Sequence, residues 1–266
     1  MIHLEAVLRR ERGVVAAGLA AIVALAWLYL WNGAGMGMSA LDMTRATLFP
    51  HREADIGGEM DVDAPIVVLM WWIMMIAMMT PSAAPLMLLY SRVARHHAAG
   101  DPPAGGTIAP ATFLAIGYLL VWLLFSVVAA TVQALLQPAG LISGMMLWSK
   151  TAALSATVLA AAGLYQLSPL KQACLRQCRA PAQFLVSHWR PGRLGALVLG
   201  VRHGAYCVGC CWLLMALLLV GGVMNLVWIV ALSLFVLVEK LAPSGTAIGK
   251  WSGALLLVWA AATLIA

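Results

Sequence analysis

The sequence predicts an all-α fold: a polytopic membrane helix bundle of about seven transmembrane helices, with one interfacial amphipathic helix on the cytoplasmic side. Three observations predict it. Hydrophobic residues make up 63% of the 266 and charged residues only 10%, for a mean hydropathy of +0.94, whereas soluble domains run near ~45–50% and ~25%. Apolar runs recur along the whole chain, each close to the roughly 20 residues that span hydrocarbon. Basic residues gather in the gaps between those runs. A soluble core cannot hide this much apolar surface, but a bilayer accepts it as an outer face. The recurrence points to one integral membrane domain over residues 1–266.

Seven apolar segments follow in order: Val14–Trp31, Pro65–Tyr90, Pro110–Leu136, Thr151–Leu167, Tyr206–Gly221, Val223–Val238 and Trp251–Ala266. The first comes after Arg9, Arg10 and Arg12, a pattern shared with signal peptides. It is long and no small-residue cleavage site closes it, so it reads as a retained first helix. The second contains Pro81 and Pro85. Pro81 removes a backbone hydrogen bond, frees the Ala77 carbonyl and kinks the helix, either to line a cavity or for packing. The fifth and sixth segments are short for a span. Gly221-Gly222 between them reads as a tight outer turn or as a bend within one long helix.

Ser168–Gly204 is the longest stretch between spans. Ser168-Pro169 is a strong helix start, a hydroxyl cap followed by proline at the first helical position. Leu170–Arg179 is then amphipathic. Leu170, Ala173, Cys174 and Leu175 lean one way, and Lys171, Arg176 and Arg179 are expected to face lipid headgroups, as in an interfacial helix. Pro181 ends it.

Orientation follows from the basic residues, which concentrate on the cytoplasmic side. With the N-terminus inside and the spans alternating, Arg9, Arg10, Arg12, Arg92, Arg95, Lys171, Arg176, Arg179, Arg190, Arg193, Arg202, Lys240 and Lys250 fall inside, 13 of the 16. Loop 32–63, placed outside, carries Asp42, Glu53, Asp55, Glu59, Asp61 and Asp63. The positive charge therefore orients helices against the lipid bilayer, and nucleic acid is not an expected partner.

The five cysteines are Cys174, Cys178, Cys207, Cys210 and Cys211. Cys174 and Cys178 are four apart, on one helix face. Cys207, Cys210 and Cys211 sit at i, i+3 and i+4. This topology puts all five near the cytoplasmic face, a compartment that keeps thiols reduced, so metal binding or redox work is expected rather than structural disulfides. Thiolates are soft donors that select Cu(I), Zn(II) or iron–sulfur clusters. His203, four residues before Cys207, adds a nitrogen donor. The plain alternative is that membrane cysteines pack as small apolar residues.

Methionine forms the second constellation. Met70, Met74 and Met78 recur at i+4, with Met75 and Met79 beside them. Thioethers bind Cu(I) and are poor ligands for hard ions, so Met74, Met75, Met78 and Met79 can form a transmembrane ladder; flexible apolar packing is the alternative. Met36, Met38 and Met43 suit an outer access point. Glu239 next to Lys240 reads as an interfacial anchor pair, and His96-His97 as a solvated pair. Asn225 and Gln133 fall near outer ends. No nucleotide loop, HExxH motif or Ser/His/Asp arrangement is present.

The residues Trp71, Met75 and Ala77-Met78-Met79-Thr80-Pro81-Ser82-Ala83-Ala84-Pro85 resemble the first signature of a bacterial family of predicted metal-binding integral membrane proteins, the domain of unknown function numbered 2182. Ala162 through Lys171 with Cys174, Leu175, Cys178, Arg179 and Pro181 is similar to its second signature. Gly204, Tyr206, Cys207, Gly209, Cys210, Cys211, Trp212 and Met215, then Gly222, Met224 and Asn225, then Glu239, Lys240, Pro243 and Gly245 are similar to its third. The resemblance covers about residues 65–265. It implies a bacterial inner-membrane location and a metal.

The first functional expectation is thus soft-metal handling, Cu(I) ahead of Zn(II), for transport, delivery to a membrane metalloenzyme, or sensing, by a monomer or a homo-oligomer. A membrane thiol–disulfide oxidoreductase is the second expectation, with Arg176, Arg179 or Arg202 activating a thiol. A non-catalytic assembly partner is the third. An enzyme is the less expected outcome.

Overall fold

A computed structural model describes residues 2–34, 41, 44, 63–97, 108–143 and 147–265. The helices in chain order are α1 (Ile2–Trp31), α2 (Ala64–His97), α3 (Ile108–Leu136), α4 (Ala152–Leu167), α5 (Pro169–Arg179), α6 (Pro181–His188), α7 (Gly192–Ala216), α8 (Leu218–Gly221), α9 (Leu226–Leu241) and α10 (Gly245–Ile265). Met36, Met38, Met43 and most of the acidic loop lie outside the described residues.

The bundle is inside-out relative to a soluble protein. Leu124, Leu135, Leu164, Val186, Leu194, Trp251 and Val258 point outward, while Gln133, Gln166, Lys171, His203, Asn225, Glu239 and Lys240 are buried. Hydrocarbon cannot hydrogen-bond, so polar groups turn to each other. Trp71 donates its indole N–H to Gln133 at 2.8 Å, and Trp72 donates to the Leu119 carbonyl at 3.0 Å, which sets α2 beside α3.

Gly13–Trp31, Ala64–Ala94, Pro110–Leu136, Gly192–Gly221 and Gly245–Ile265 are long and apolar enough to cross a membrane. A sixth span results if α4 and α5, bent by 65° between them, count as one. The expected seven is an approximate number because α4 and α9 have 16 residues each. At 1.5 Å per residue such helices reach about 24 Å, short of a hydrocarbon layer of about 30 Å.

One sequence expectation is revised, and a choice between two alternatives is resolved. Ser168–Gly204 is not a connecting stretch with one helix in it. It holds α5, α6 and the first half of α7, which begins at Gly192 rather than Tyr206. Arg193 sits in the first turn and Arg202 is exposed, so neither charge interrupts an otherwise apolar helix. Gly221-Gly222 is a true turn: Gly222 has φ 91°, which suits glycine, and Asn225 then caps α9 by accepting from the Trp228 N–H at 3.2 Å.

Small residues let the helices approach. Gly200 and Gly204 of α7 lie against α3, where a side chain at Gly200 would meet the Leu114 carbonyl and one at Gly204 would meet Val121 Cβ at 2.9 Å. Gly117 of α3 faces the Leu197 carbonyl in the same way. The pairing rises in step along both chains, so α3 and α7 run parallel. Gly163 and Gly253 make the corresponding contact between α4 and α10. Close backbone approach through small residues is how membrane helices gain dispersion energy.

Helix α5 begins as its sequence predicts, with Ser168 Oγ accepting from the Lys171 N–H at 3.1 Å and Pro169 in the first turn. Its orientation differs from expectation. Lys171 does not face headgroups; it is buried and its Nζ lies 2.8 Å from Glu239 Oε2. Arg179 donates to the carbonyls of Ala242 at 2.6 Å and Pro243 at 2.9 Å. Both ends of α5 are thereby tied to the end of α9. Glu239 is correspondingly not paired with its neighbour Lys240, since consecutive helix residues point apart.

Two outcomes test this packing. Gly200→Leu should push α3 from α7 and destabilise the bundle by about 1–3 kcal/mol, read by denaturation in mixed micelles. Lys171→Met alone should cost about 3–5 kcal/mol by leaving Glu239 uncompensated, and Lys171→Met with Glu239→Met should recover most of that loss.

Candidate metal centre

Helix α7 positions three of the five cysteines. Cys207 and Cys211 are one turn apart on a face buried in the bundle, and Cys210 is beside them, also buried. They fall near the middle of the helical segment Gly192–Gly221, which starts 14 residues earlier than the sequence suggested (Gly192 against Tyr206). Helix α5 brings Cys178 against them, with Cys178 Sγ 4.0 Å from Cys210 Sγ. Helix α2 brings Met79, whose Sδ lies 3.9 Å from Cys211 Sγ. Two sulfur–sulfur contacts therefore link three separate helices.

Gly209 explains how α5 can come so close. A Cβ there would stand 2.9 Å from Cys174 Sγ, so the absence of a side chain makes the seat for Cys174. Tyr165 at the end of α4 donates its hydroxyl to the Gly209 carbonyl and holds the same seam. Cys174 is half-buried, in contrast to the other four cysteines.

A ring of polar contacts closes around Cys207. Its Sγ is 3.2 Å from the Tyr118 hydroxyl and 3.0 Å from Lys240 Nζ. Tyr118 donates to the Met79 carbonyl at 3.0 Å. Lys240 donates to Ser82 Oγ at 2.9 Å, and Ser82 donates to the same Met79 carbonyl at 2.8 Å. Helices α2, α3, α7 and α9 are joined through these five residues. Each polar group is satisfied inside the protein, as a dry interior demands.

The thiols do not converge on a single point. Among the described residues, no three His, Cys, Asp or Glu side chains are arranged to hold a metal ion. Cys210 and Cys211 instead donate to the Cys207 carbonyl, at 3.1 and 2.9 Å, the back-bonding that short polar side chains adopt in helices. All five cysteines are free.

The remaining candidates are placed as follows. His203 is buried one turn before Cys207, its ring 5.9 Å from that of Tyr118 and 5.3 Å from that of Phe184, with Nδ1 lacking a hydrogen-bond partner. Met74, Met75 and Met78 are buried along α2 with Met70 and Met79, and α2 continues through Pro81 and Pro85. Met79 is the one whose sulfur contacts a thiol. His96 and His97 close α2. Tyr118, Ser82 and Lys240 were not among the candidate residues. The signal for Lys240 was a lysine in an otherwise apolar helix end, and for Tyr118 a hydroxyl within a long apolar run; neither showed its partner.

No curated protein and no solved structure matches the chain. A family model described as PpoB2, copper chaperone, matches residues 68–263, nearly the same stretch as the sequence signatures. With most of its length covered, the chain belongs to the PpoB2 copper chaperone family.

Proposed function

We propose that this chain is a multi-pass inner-membrane copper chaperone, with its N-terminus in the cytoplasm, that takes Cu(I) as cargo on Cys178, Cys207, Cys210, Cys211 and Met79. The observation that carries the reading is two sulfur contacts, Cys178 with Cys210 at 4.0 Å and Cys211 with Met79 at 3.9 Å, which link α5, α7 and α2. Family membership supports the metal, and the basic side of the sequence supports the orientation.

The donor set suits the ion. Cu(I) is soft, accepts two, three or four sulfur ligands, and binds thiolate and thioether together. Turning Cys210 and Cys211 away from the Cys207 carbonyl frees their sulfurs for an ion. The buried methionines of α2 form a route along which Cu(I) passes by exchanging one thioether for the next, ending at Met79 beside Cys211. Tyr118 and Lys240 hold Cys207 in place before the ion arrives. His203, packed between rings with a free Nδ1, is a reserve donor next to the site. The family's description as a copper chaperone supports delivery of the ion to another protein, a membrane metalloenzyme on this reading.

The pair Cys178 and Cys210 also supports a second reading, thiol–disulfide exchange, since their separation of 4.0 Å closes to a bond of about 2 Å with a modest shift of α5. In that reading the two thiols give up two electrons and two protons to a disulfide acceptor.

Anaerobic Cu(I) titration against a chromophoric chelator separates the two. The protein should hold copper, and Cys210→Ser or Cys211→Ser should weaken binding on the order of 100-fold, with Cys174→Ser changing it less than about tenfold. Undiminished binding in Cys210→Ser with Cys211→Ser would remove the proposed site. A stable Cys178–Cys210 bond in protein from oxidised cells, together with no copper, would favour exchange.

Orientation has its own test. A membrane-impermeant maleimide should label Cys174 alone among the five, and only from the cytoplasmic side of inverted vesicles. Labelling from the periplasmic side would reverse the topology.

A further inference from the structure

Four of the five cysteines are closed off from any partner, and one is open. Cys178, Cys207, Cys210 and Cys211 are between 0% and 9% exposed, whereas Cys174 is half-buried. Met79 is closed off as well, at 0%. A carrier outside the bundle cannot touch an ion seated on those five sulfurs. Copper on sulfur moves by ligand exchange, in which the incoming donor reaches the metal before the outgoing donor leaves. Exchange with a partner therefore needs a sulfur that both sides can reach.

Cys174 occupies that position. It stands one turn before Cys178 on the same face of α5. Across the seam its sulfur rests on α7 at Gly209, where a Cβ would come within 2.9 Å of it. The next residue of α7 is Cys210, the thiol near enough to Cys174 to act on it electrostatically. Further in, Cys178 contacts Cys210 at 4.0 Å and Cys211 contacts Met79 at 3.9 Å. The glycine is what lets an open thiol stand beside a closed one.

We infer that Cys174 is the transfer thiol of the centre, through which Cu(I) passes between the buried sulfurs and an external thiolate. The inference rests on the copper reading above. In loading, a Cu–S bond to Cys174 forms as the bond to the external thiolate breaks. The Cys174 proton goes to the released thiol, and Cys174 is reprotonated by the thiol that takes the ion next. Copper stays Cu(I), so no oxidant or reductant enters. Unloading is the same exchange reversed. The partner is a thiol carrier, because a soft ion is handed over between soft donors.

A passage and a ligand have different kinetic signatures. A ligand sets how tightly the ion is held. A passage sets only how fast it moves, and equally in both directions, because the two end states are unchanged.

The test uses the full-length protein in nanodiscs under anaerobic conditions. Cu(I) is loaded from its glutathione complex and unloaded to glutathione in stopped flow, and a second arm replaces glutathione with a peptide carrying a Cys-x-x-Cys pair. Cys174→Ser should slow loading and unloading together, on the order of 100-fold, while the affinity for Cu(I) stays within about tenfold of wild type. Wild-type protein capped at Cys174 with an impermeant maleimide after folding should be slowed alike, so the outcome does not depend on the variant folding. Slowing with glutathione identifies a small thiol as the partner, and slowing with the peptide alone identifies a protein thiol. Unchanged rates in the capped protein or in the folded variant would overturn the assignment. So would a rate change in one direction only with a matching loss of affinity, which would make Cys174 an ordinary ligand. Wild-type protein that binds no Cu(I) would instead overturn the copper reading, and this inference with it.

Discussion

A lysine and a glutamate without access to water must find each other, and that requirement organises this molecule. Lys171 and Glu239 are separated by 68 residues in sequence and by 2.8 Å in space. The pair pins α5 to α9 near the point where the chain bends by 65° after α4. Without it α5 has amphipathic reasons to lie on a membrane surface; with it, α5 is drawn in and brings Cys178 to Cys210. The ionic pair contributes less as net stability than as a demand for one arrangement, because either partner alone would be far worse than both.

Glycine supplies the complementary constraint. Gly200 and Gly204 bring α7 against α3 closely enough for the Tyr118 hydroxyl to reach Cys207, and Gly209 on the same helix opens the seat that Cys174 fills. One helix therefore offers two close-contact faces, towards α3 and towards α5, and its sulfurs lie between them. The same logic without chemistry joins α4 to α10 through Gly163 and Gly253. Polar contacts around the centre are short and numerous, while the outer surface carries leucine, valine and tryptophan.

The helical membrane class was legible from composition and run length, since both are bulk properties. The cap at Ser168-Pro169 was legible because it is local. The start of α7 was not: Arg193 and Arg202 imitate a loop when depth is judged by charge, and only their outward direction reveals a helix. The partners of Lys171 and Lys240 were equally hidden. In sequence Glu239 touches Lys240, yet adjacent helix positions diverge, and a pairing across 68 residues leaves no local trace. The spacing of Gly200 with Gly204 is a close-packing sign in apolar helices that the sequence analysis left unused. Of the spaced cysteines, Cys178 and Cys210 come within 4.0 Å of each other; the bonds of Cys210 and Cys211 to the Cys207 carbonyl had no sequence signal.

Cys207, Cys210 and Cys211 lie within a segment long and apolar enough to cross a membrane, which gives the proposed copper reading an electrical consequence. A bilayer under voltage drops its potential across the low-dielectric layer, and transferring one elementary charge through the whole drop is worth about 2.3 kcal/mol per 100 mV. An ion seated part-way through that layer collects a fraction of this work, with a sign set by the side from which it came. On the proposed copper reading, occupancy of these sulfurs would follow how strongly the membrane is energised, and collapse of that gradient would alter loading without moving a single ligand.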